Sequence, residues 1–246
     1  MRKTSMTAVV SVIVSITALM VPILIGMDNT FAVDVPAETA PDTAANTVTY
    51  TFPARSAGSS GPSSILFSSS GRTFTDERDG QVYRIVQVGG QVWMAENLNF
   101  AAEGSACYEN SEDSCAKYGR LYNWETSLNA CPAGWRLPAD KEWTTLVDYA
   151  GGEKTAGIKL KSTNGWNDYN GESGNGTNEY DFSALPGGLG SSWGNYGDAG
   201  YYGIWWSATE YSAWNAWYRG TYYHEYVFRY DNPKINLHSV RCVQDN

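Results

Sequence analysis

One stretch of the chain, Tyr118 to Gly152, carries apolar positions at helical spacing, and the remainder is arranged around it. Leu121, Trp124, Leu128 and Cys131 fall near a 3.6-residue period, which predicts a first helix stopped by Pro132 and Gly134. Trp143, Leu146, Val147 and Ala150 stand at i, i+3, i+4 and i+7 and predict a second amphipathic helix. Asp140 and Glu142 lie in its first turn, where carboxylates complement the helix dipole, and Gly151 and Gly152 end it. Ala139, just before this helix, lacks the side-chain acceptor that Ser or Thr would bring to an N-cap.

Elsewhere the period falls to two. Val82 to Val88 alternates, Gly89-Gly90 supplies a two-residue turn and Gln91 to Met94 returns, which predicts a hairpin. Trp205 to Thr209, Trp214 to Tyr218, Thr221 to Tyr230 and Ser239 to Val243 read as strands, with turns at Arg219-Gly220 and Asp231-Asn232-Pro233. Between Lys161 and Gly203 neither period holds, and Gly, Asn, Asp, Trp and Tyr predominate. A loop this long inside a compact domain is often functional.

The start of the chain has a different character. Arg2 and Lys3 precede an apolar run from Ala8 to Ile25, and Thr30-Phe31-Ala32 resembles a small-x-small cleavage site. Residues 1–32 are therefore read as an export signal, with an uncleaved membrane anchor as the alternative. Residues 33–72, rich in Ala, Thr, Pro, Ser and Gly, are read as a linker, and residues 73–246 as the folded domain. Two apolar spots interrupt the linker: Val48, Tyr50 and Phe52, and Ile65-Leu66-Phe67. Each is either a docking strand or a sticky point in a tether, and the tether reading is preferred.

Composition narrows the function classes. A formal charge of −9 and a pI near 4.7 argue against nucleic acid and anionic membrane surfaces as partners, leaving membrane contact to the N-terminal segment if it is uncleaved. The 10 Trp, 17 Tyr and 7 Phe point to a core built from large rings. Four cysteines behind an export signal read as disulfides, and the closeness of Cys107 and Cys115 suggests a local staple. With only His224 and His238 and no CxxC, a zinc site is not expected.

Six motifs, in order, carry a resemblance: DERDGQVYRIVQVGGQVWMAENLNF, YGRLYNW, CPAGWRLPADKEW, FSALPGG, WWSATE and SVRCV. Together they resemble the Fibrobacter succinogenes major paralogous domain, over about Thr73 to Asp245. The resemblance implies a secreted or surface-displayed bacterial domain of α+β class with a C-type lectin-like fold: two helices, a small twisted antiparallel sheet, a long irregular loop region and chain ends paired as neighbouring strands. It further implies a bridge from Cys131, at the end of the first helix, to Cys242 in the last strand, and the local pair leaves these two cysteines for each other. The chain departs from lectins in lacking the second, loop-pinning bridge. It also has neither Glu-Pro-Asn nor Gln-Pro-Asp, and Trp166-Asn167-Asp168 falls too early to be the partner of such a calcium-dependent sugar motif.

Three chemistries compete for the loop region. Asp168, Asn170 and Glu172 alternate and Glu179 follows at EF-hand spacing, but Ser173 replaces the turn glycine, so a solvated acidic turn is preferred to calcium and no cofactor is expected. Trp193, Tyr196, Tyr201, Tyr202, Trp214, Trp217 and Tyr218 are candidates for a ligand-binding aromatic face, while Trp205 and Trp206 are assigned to the core. His224 and His238 are candidate bases, yet no nucleophile pairs with either by motif, so catalysis is not expected. The reading is an exported, non-catalytic module binding an extracellular glycan or protein. Its rivals are a structural subunit of a surface or adhesion assembly, and an enzyme of the formylglycine-generating kind.

Overall fold

The computed structural model describes residues 65–68 and 71–245. The export-signal assignment, most of the linker and the Val48–Phe52 spot lie outside these residues. The elements run β1 (Ile65–Ser68), β2 (Gly71–Thr75), β3 (Val82–Val88), β4 (Gln91–Met94), β5 (Ser105–Ala106), a 3-10 turn (Tyr108–Asn110), α1 (Glu112–Tyr118), β6 (Leu121–Tyr122) and α2 (Trp124–Ala130). They continue β7 (Trp135–Arg136), α3 (Asp140–Tyr149), α4 (Ala156–Leu160), β8 (Leu189–Gly190), β9 (Tyr196–Gly197), β10 (Tyr202–Glu210), β11 (Asn215–Tyr222), β12 (Val227–Pro233), β13 (His238–Ser239) and β14 (Val243–Gln244).

The class is α+β. One six-stranded sheet has the order β1-β2-β3-β4-β14-β7, another has β12-β11-β10-β13-β6-β5, and β8-β9 form a ribbon. Among the strands named here pairing is antiparallel except between β10 and β13. The last strand, β14, lies between β4 and β7, so the tail closes the first sheet.

Local rules account for most elements. In β3, Tyr83, Ile85 and Val88 turn inward between exposed or half-exposed neighbours, and Gly89 takes φ +59 in the turn to β4. Helix α3 buries Trp143, Leu146 and Val147, and Ala150 is buried just past its end. Its capping deficit at Ala139 is met from elsewhere: the Glu142 carboxylate accepts the Ala139 N–H at 2.9 Å, and Thr209 Oγ1, from β10, accepts the Asp140 N–H at 3.0 Å.

Two apolar clusters form the interior. One gathers Phe74, Tyr83, Ile85, Met94, Trp135 and Trp206; the other gathers Val88, Trp93, Trp143, Leu146, Phe182 and Trp205. Adjacent on β10, Trp205 and Trp206 serve opposite faces, as strand alternation requires, and both are buried as expected.

A polar knot lies among these rings. Asn97 Oδ1 accepts from Trp205 Nε1 at 2.8 Å and from Arg241 Nη2 at 2.8 Å and Nε at 3.2 Å, while Asn97 Nδ2 donates to the Tyr118 carbonyl at 2.8 Å. The fully buried Arg241 guanidinium also donates to the carbonyls of Phe182 and Ser183. Burial lowers its pKa to about 9. Beside it, Cys242 is bonded to Cys131, with Cα atoms 6.0 Å apart, and Cys107 is bonded to Cys115. Both expected bridges are present.

Several expectations are corrected. The first helix starts at Trp124, because Leu121 and Tyr122 instead pair with β5 and β13; the stretch after Cys107 forms the 3-10 turn and α1; and α4 follows α3. The described residues thus hold four short helices and two substantial sheets, not two helices on one small sheet. Strand β1 and the start of β2 lie inside the range assigned to the linker, and β1 pairs with β2 through Ile65↔Phe74. Strand β11 runs straight through Arg219-Gly220, and the turn falls at residues 223–226. Asp231-Asn232-Pro233 completes β12. The expected last strand is split between β13 and β14, which belong to different sheets.

Two outcomes follow for stability. The Cys131–Cys242 bridge spans 111 residues and Cys107–Cys115 spans 8. Chain-entropy arguments give about 4.8 and about 2.5 kcal/mol respectively, so in urea titrations replacing the long-range pair by Ser is expected to cost about twice as much as replacing the local pair. The second outcome concerns His238, which is wholly buried between Trp206 and Tyr218 with ring centroids at 4.1 and 5.1 Å. Neither ring nitrogen makes a well-formed hydrogen bond to a described residue, and burial pushes the pKa down to about 3, with the Leu237 backbone opposing. The unfolded chain therefore takes up this proton first as pH falls. The His238 contribution is complete above its ordinary value near 6.5 and declines from there toward pH 3, by about 1.4 kcal/mol per unit. Denaturant titrations between pH 6.5 and 4.5 are expected to show that slope in the native chain and a shallower one in His238→Phe.

Candidate functional site

Strands β10, β11 and β12 expose one face on which aromatic side chains collect. Their register sets Tyr202 opposite Tyr222, Tyr218 opposite Tyr230 and Gly220 opposite Phe228. Because side chains alternate, these positions share a face. With Ile204, Asn232, Tyr226 from the β11–β12 turn, and Leu189 and Asp198 from the β8–β9 region, Tyr202, Tyr218, Tyr222, Phe228 and Tyr230 line an open groove of about 590 Å³. That is within the roughly 300–1,000 Å³ usual for ligand sites.

The rings are ordered against one another. Tyr202 and Tyr222 lie 5.7 Å apart and nearly parallel, Tyr222 and Tyr226 are 6.5 Å apart, and Phe228 lies edge-on to Tyr218 at 6.1 Å. Gly220 makes this possible: a Cβ there would sit 2.4 Å from Phe228 Cζ, so only glycine lets that ring rest on the strand. Burial and neighbouring tyrosines push Tyr218 up to about 12 and Tyr222 upward as well, so both phenols are protonated near neutral pH.

Opposite-face residues anchor the platform. Arg219 Nη2 and Arg229 Nε reach Asp140 Oδ1 at 3.2 and 2.9 Å, on the first turn of α3. The Arg229 guanidinium also lies 3.3 Å from the Trp217 ring centroid. The turn after β11 is held by Lys161, a buried ammonium whose Nζ donates to the carbonyls of Gly174, Tyr222, Tyr223 and His224 at 2.6, 3.2, 3.1 and 3.0 Å. Burial lowers the Lys161 pKa to about 8, with the Glu225 carboxylate opposing.

Of the seven expected binding residues, Tyr202 and Tyr218 line the groove. Trp193 projects from the tip of the β8–β9 ribbon, 85% exposed, and Trp214 from the β10–β11 turn, 82% exposed. Tyr196 is drawn aside by a hydroxyl hydrogen bond to Asn110 Oδ1 at 3.1 Å, and Tyr201 is exposed beyond the groove lining. Trp217 belongs to the opposite face, with Tyr211 edge-on to it. The sequence reading missed Tyr222, Tyr226, Phe228, Tyr230, Asp198 and Asn232. The signal for four of them was alternation, Tyr218-x-Gly220-x-Tyr222 and Tyr226-x-Phe228-x-Tyr230. A turn drawn at Arg219-Gly220 broke that pattern.

The calcium candidates are not brought together. Asp168, Asn170 and Glu172 surround an exposed turn closed by paired Tyr169–Glu172 backbone bonds, whereas Glu179 lies 3.5 Å from Lys159. Among the described residues, the group of potential ligands close enough to share an ion is Cys107, Glu112 and Cys115, and its two sulfurs are bonded to each other. Trp166 is buried with its indole N–H on the Ala184 carbonyl, a packing role. His224 is exposed among Tyr222, Tyr223 and Tyr226, while His238 is buried. No described helix is long and apolar enough to cross a membrane, and the apolar run Ala8–Ile25 lies outside the described residues.

No curated protein and no solved structure matches the chain. A family model described as the Fibrobacter succinogenes major domain matches residues 86–244, taking in all four cysteines and strands β10 to β12. With most of the folded part inside that match, the chain belongs to the Fibrobacter succinogenes major domain family.

Proposed function

We propose that this protein is an exported, non-catalytic module that recognises an extracellular glycan or protein by passive docking, on a domain of C-type lectin-like design. The observation that carries the binding reading is the tyrosine groove on β10–β12. Aromatic faces beside hydroxyl, carboxylate and amide groups bind by burying apolar area while polar groups set orientation. The lectin-like design is supported by the Cys131–Cys242 bridge, by a tail strand that joins the opening hairpin, and by a long irregular passage between α4 and β10. Export is supported by the even, fully bridged cysteine set, which suits an oxidising compartment. The ligand surface is assigned to the groove in preference to Trp193 and Trp214, which stand singly at turns.

Glycan and extracellular-protein microarrays test this reading. The native chain is expected to retain at least one ligand that the Tyr222→Ala/Tyr230→Ala double variant loses by tenfold or more, with Trp193→Ala unaffected. Equal binding by the native and double-variant chains, or no binding by the native chain, rejects it.

A further inference from the structure

We propose that the β10–β12 groove takes an uncharged glycan, a ligand with flat C–H faces, many hydroxyls and no carboxylate or sulfate. This rests on the binding reading above and extends it by naming the chemistry of the ligand.

The first support is unused hydrogen-bonding capacity. The hydroxyls of Tyr202, Tyr218, Tyr222, Tyr226 and Tyr230 make no hydrogen bond to another described residue. The Asp198 carboxylate likewise accepts no hydrogen bond from a described residue. Asn232 accepts from Asn236 Nδ2 at 2.6 Å through Oδ1, which leaves its own Nδ2 donors to the groove. Donors and acceptors set along a ring platform are what a polyol uses: its C–H faces lie on the rings while its hydroxyls exchange hydrogen bonds at their edges.

The second support is charge. Among the described residues, no Lys or Arg lines the groove. The two arginines on these strands, Arg219 and Arg229, alternate to the other face and are drawn to Asp140. A ligand carboxylate or sulfate would meet Asp198 with no cation to offset it, on a chain of formal charge −9. Sites built for such anions carry guanidinium or ammonium groups, and these strands turn theirs away.

The third support is shape. Phe228 rests on Gly220, so a ring, and not a gap, faces the groove at that position. An extended peptide strand is read through pockets for alternate side chains. A proline-rich peptide is the peptide class that also docks on aromatic grooves, and it is the competing occupant the experiment includes.

Isothermal titration of the folded full chain uses three groups of probes. These are uncharged dextran, galactomannan and xyloglucan oligosaccharides; heparin and polygalacturonate oligosaccharides; and a proline-rich decapeptide. At least one uncharged probe is expected to bind, to weaken tenfold or more in Tyr222→Ala, and to weaken less in Asp198→Asn, with circular dichroism verifying that the variants are folded. The anionic probes and the decapeptide are expected not to bind. Binding of heparin, polygalacturonate or the decapeptide that is lost in Tyr222→Ala overturns the glycan assignment and leaves the groove as a binding site. Failure of every uncharged probe overturns the assignment as well, while the microarray result decides separately whether the module binds anything. Uncharged-probe binding unchanged in both Tyr222→Ala and Tyr230→Ala overturns the assignment and the groove together.

Discussion

The Arg241 guanidinium is withdrawn from water with no salt bridge to a described carboxylate, and its charge is met by dipoles from distant parts of the chain. Asn97 follows the opening hairpin, Phe182 and Ser183 belong to the long loop, and Arg241 itself lies on the way into the last strand. Removing an ion from water costs several kcal/mol unless its donors are satisfied, so this group is tolerable inside only when all three segments are in place. The same Asn97 oxygen accepts the Trp205 indole N–H, which ties β10 to the arrangement. One residue further, Cys242 is bonded to the end of α2. Two consecutive side chains therefore join the tail to the loop, the opening strands and the helix.

A second buried cation applies the same physics at the other end of the loop region. Lys161 gathers carbonyls from Gly174 and from three successive residues, the last of β11 and the two that follow it. The passage between α4 and β10 has only the short β8–β9 ladder and scattered backbone bonds, so some of its carbonyls take side-chain donors. Arg241, Lys161 and the Trp166 indole N–H supply them. A stretch with neither helical nor strand periodicity is thus ordered by non-repeating backbone bonds, such as the Ser162 N–H to the Ala184 carbonyl and the Asn167 N–H to the Gly200 carbonyl, together with these buried side-chain donors.

The groove depends on this scaffold from both sides. Alternation along β11 and β12 sends arginines to Asp140 and tyrosines to the open face, so one strand pair anchors with one set of residues and presents another. Lys161 fixes the turn that carries Tyr226, and the β8–β9 region brings Asp198 to the rim. Trp206 and His238 continue the same face inward, where it becomes core. The open platform is thus the solvent-facing end of a packed aromatic layer, which pre-organises its rings.

Read alone, the amino-acid order determined the features that local chemistry controls. The α3 helix followed from Trp143, Leu146, Val147 and Ala150, the β3–β4 hairpin from alternation around Gly89-Gly90, and the family from six ordered motifs. The Cys131–Cys242 bridge came with the resemblance to that family. Tertiary structure decided the rest. Leu121 fits a helical period but, with Tyr122, pairs instead with β5 and β13, which give both residues backbone partners on two sides. Gly220 looked like a turn but lies mid-strand, its missing side chain filled by Phe228 from across the register. Which tyrosines share a groove likewise depended on where the β11 turn fell, since a displaced turn reverses the face of every residue beyond it. Periodicity reports how a segment pairs with itself, whereas the groove is made by how segments pair with each other, and only the folded chain contains that.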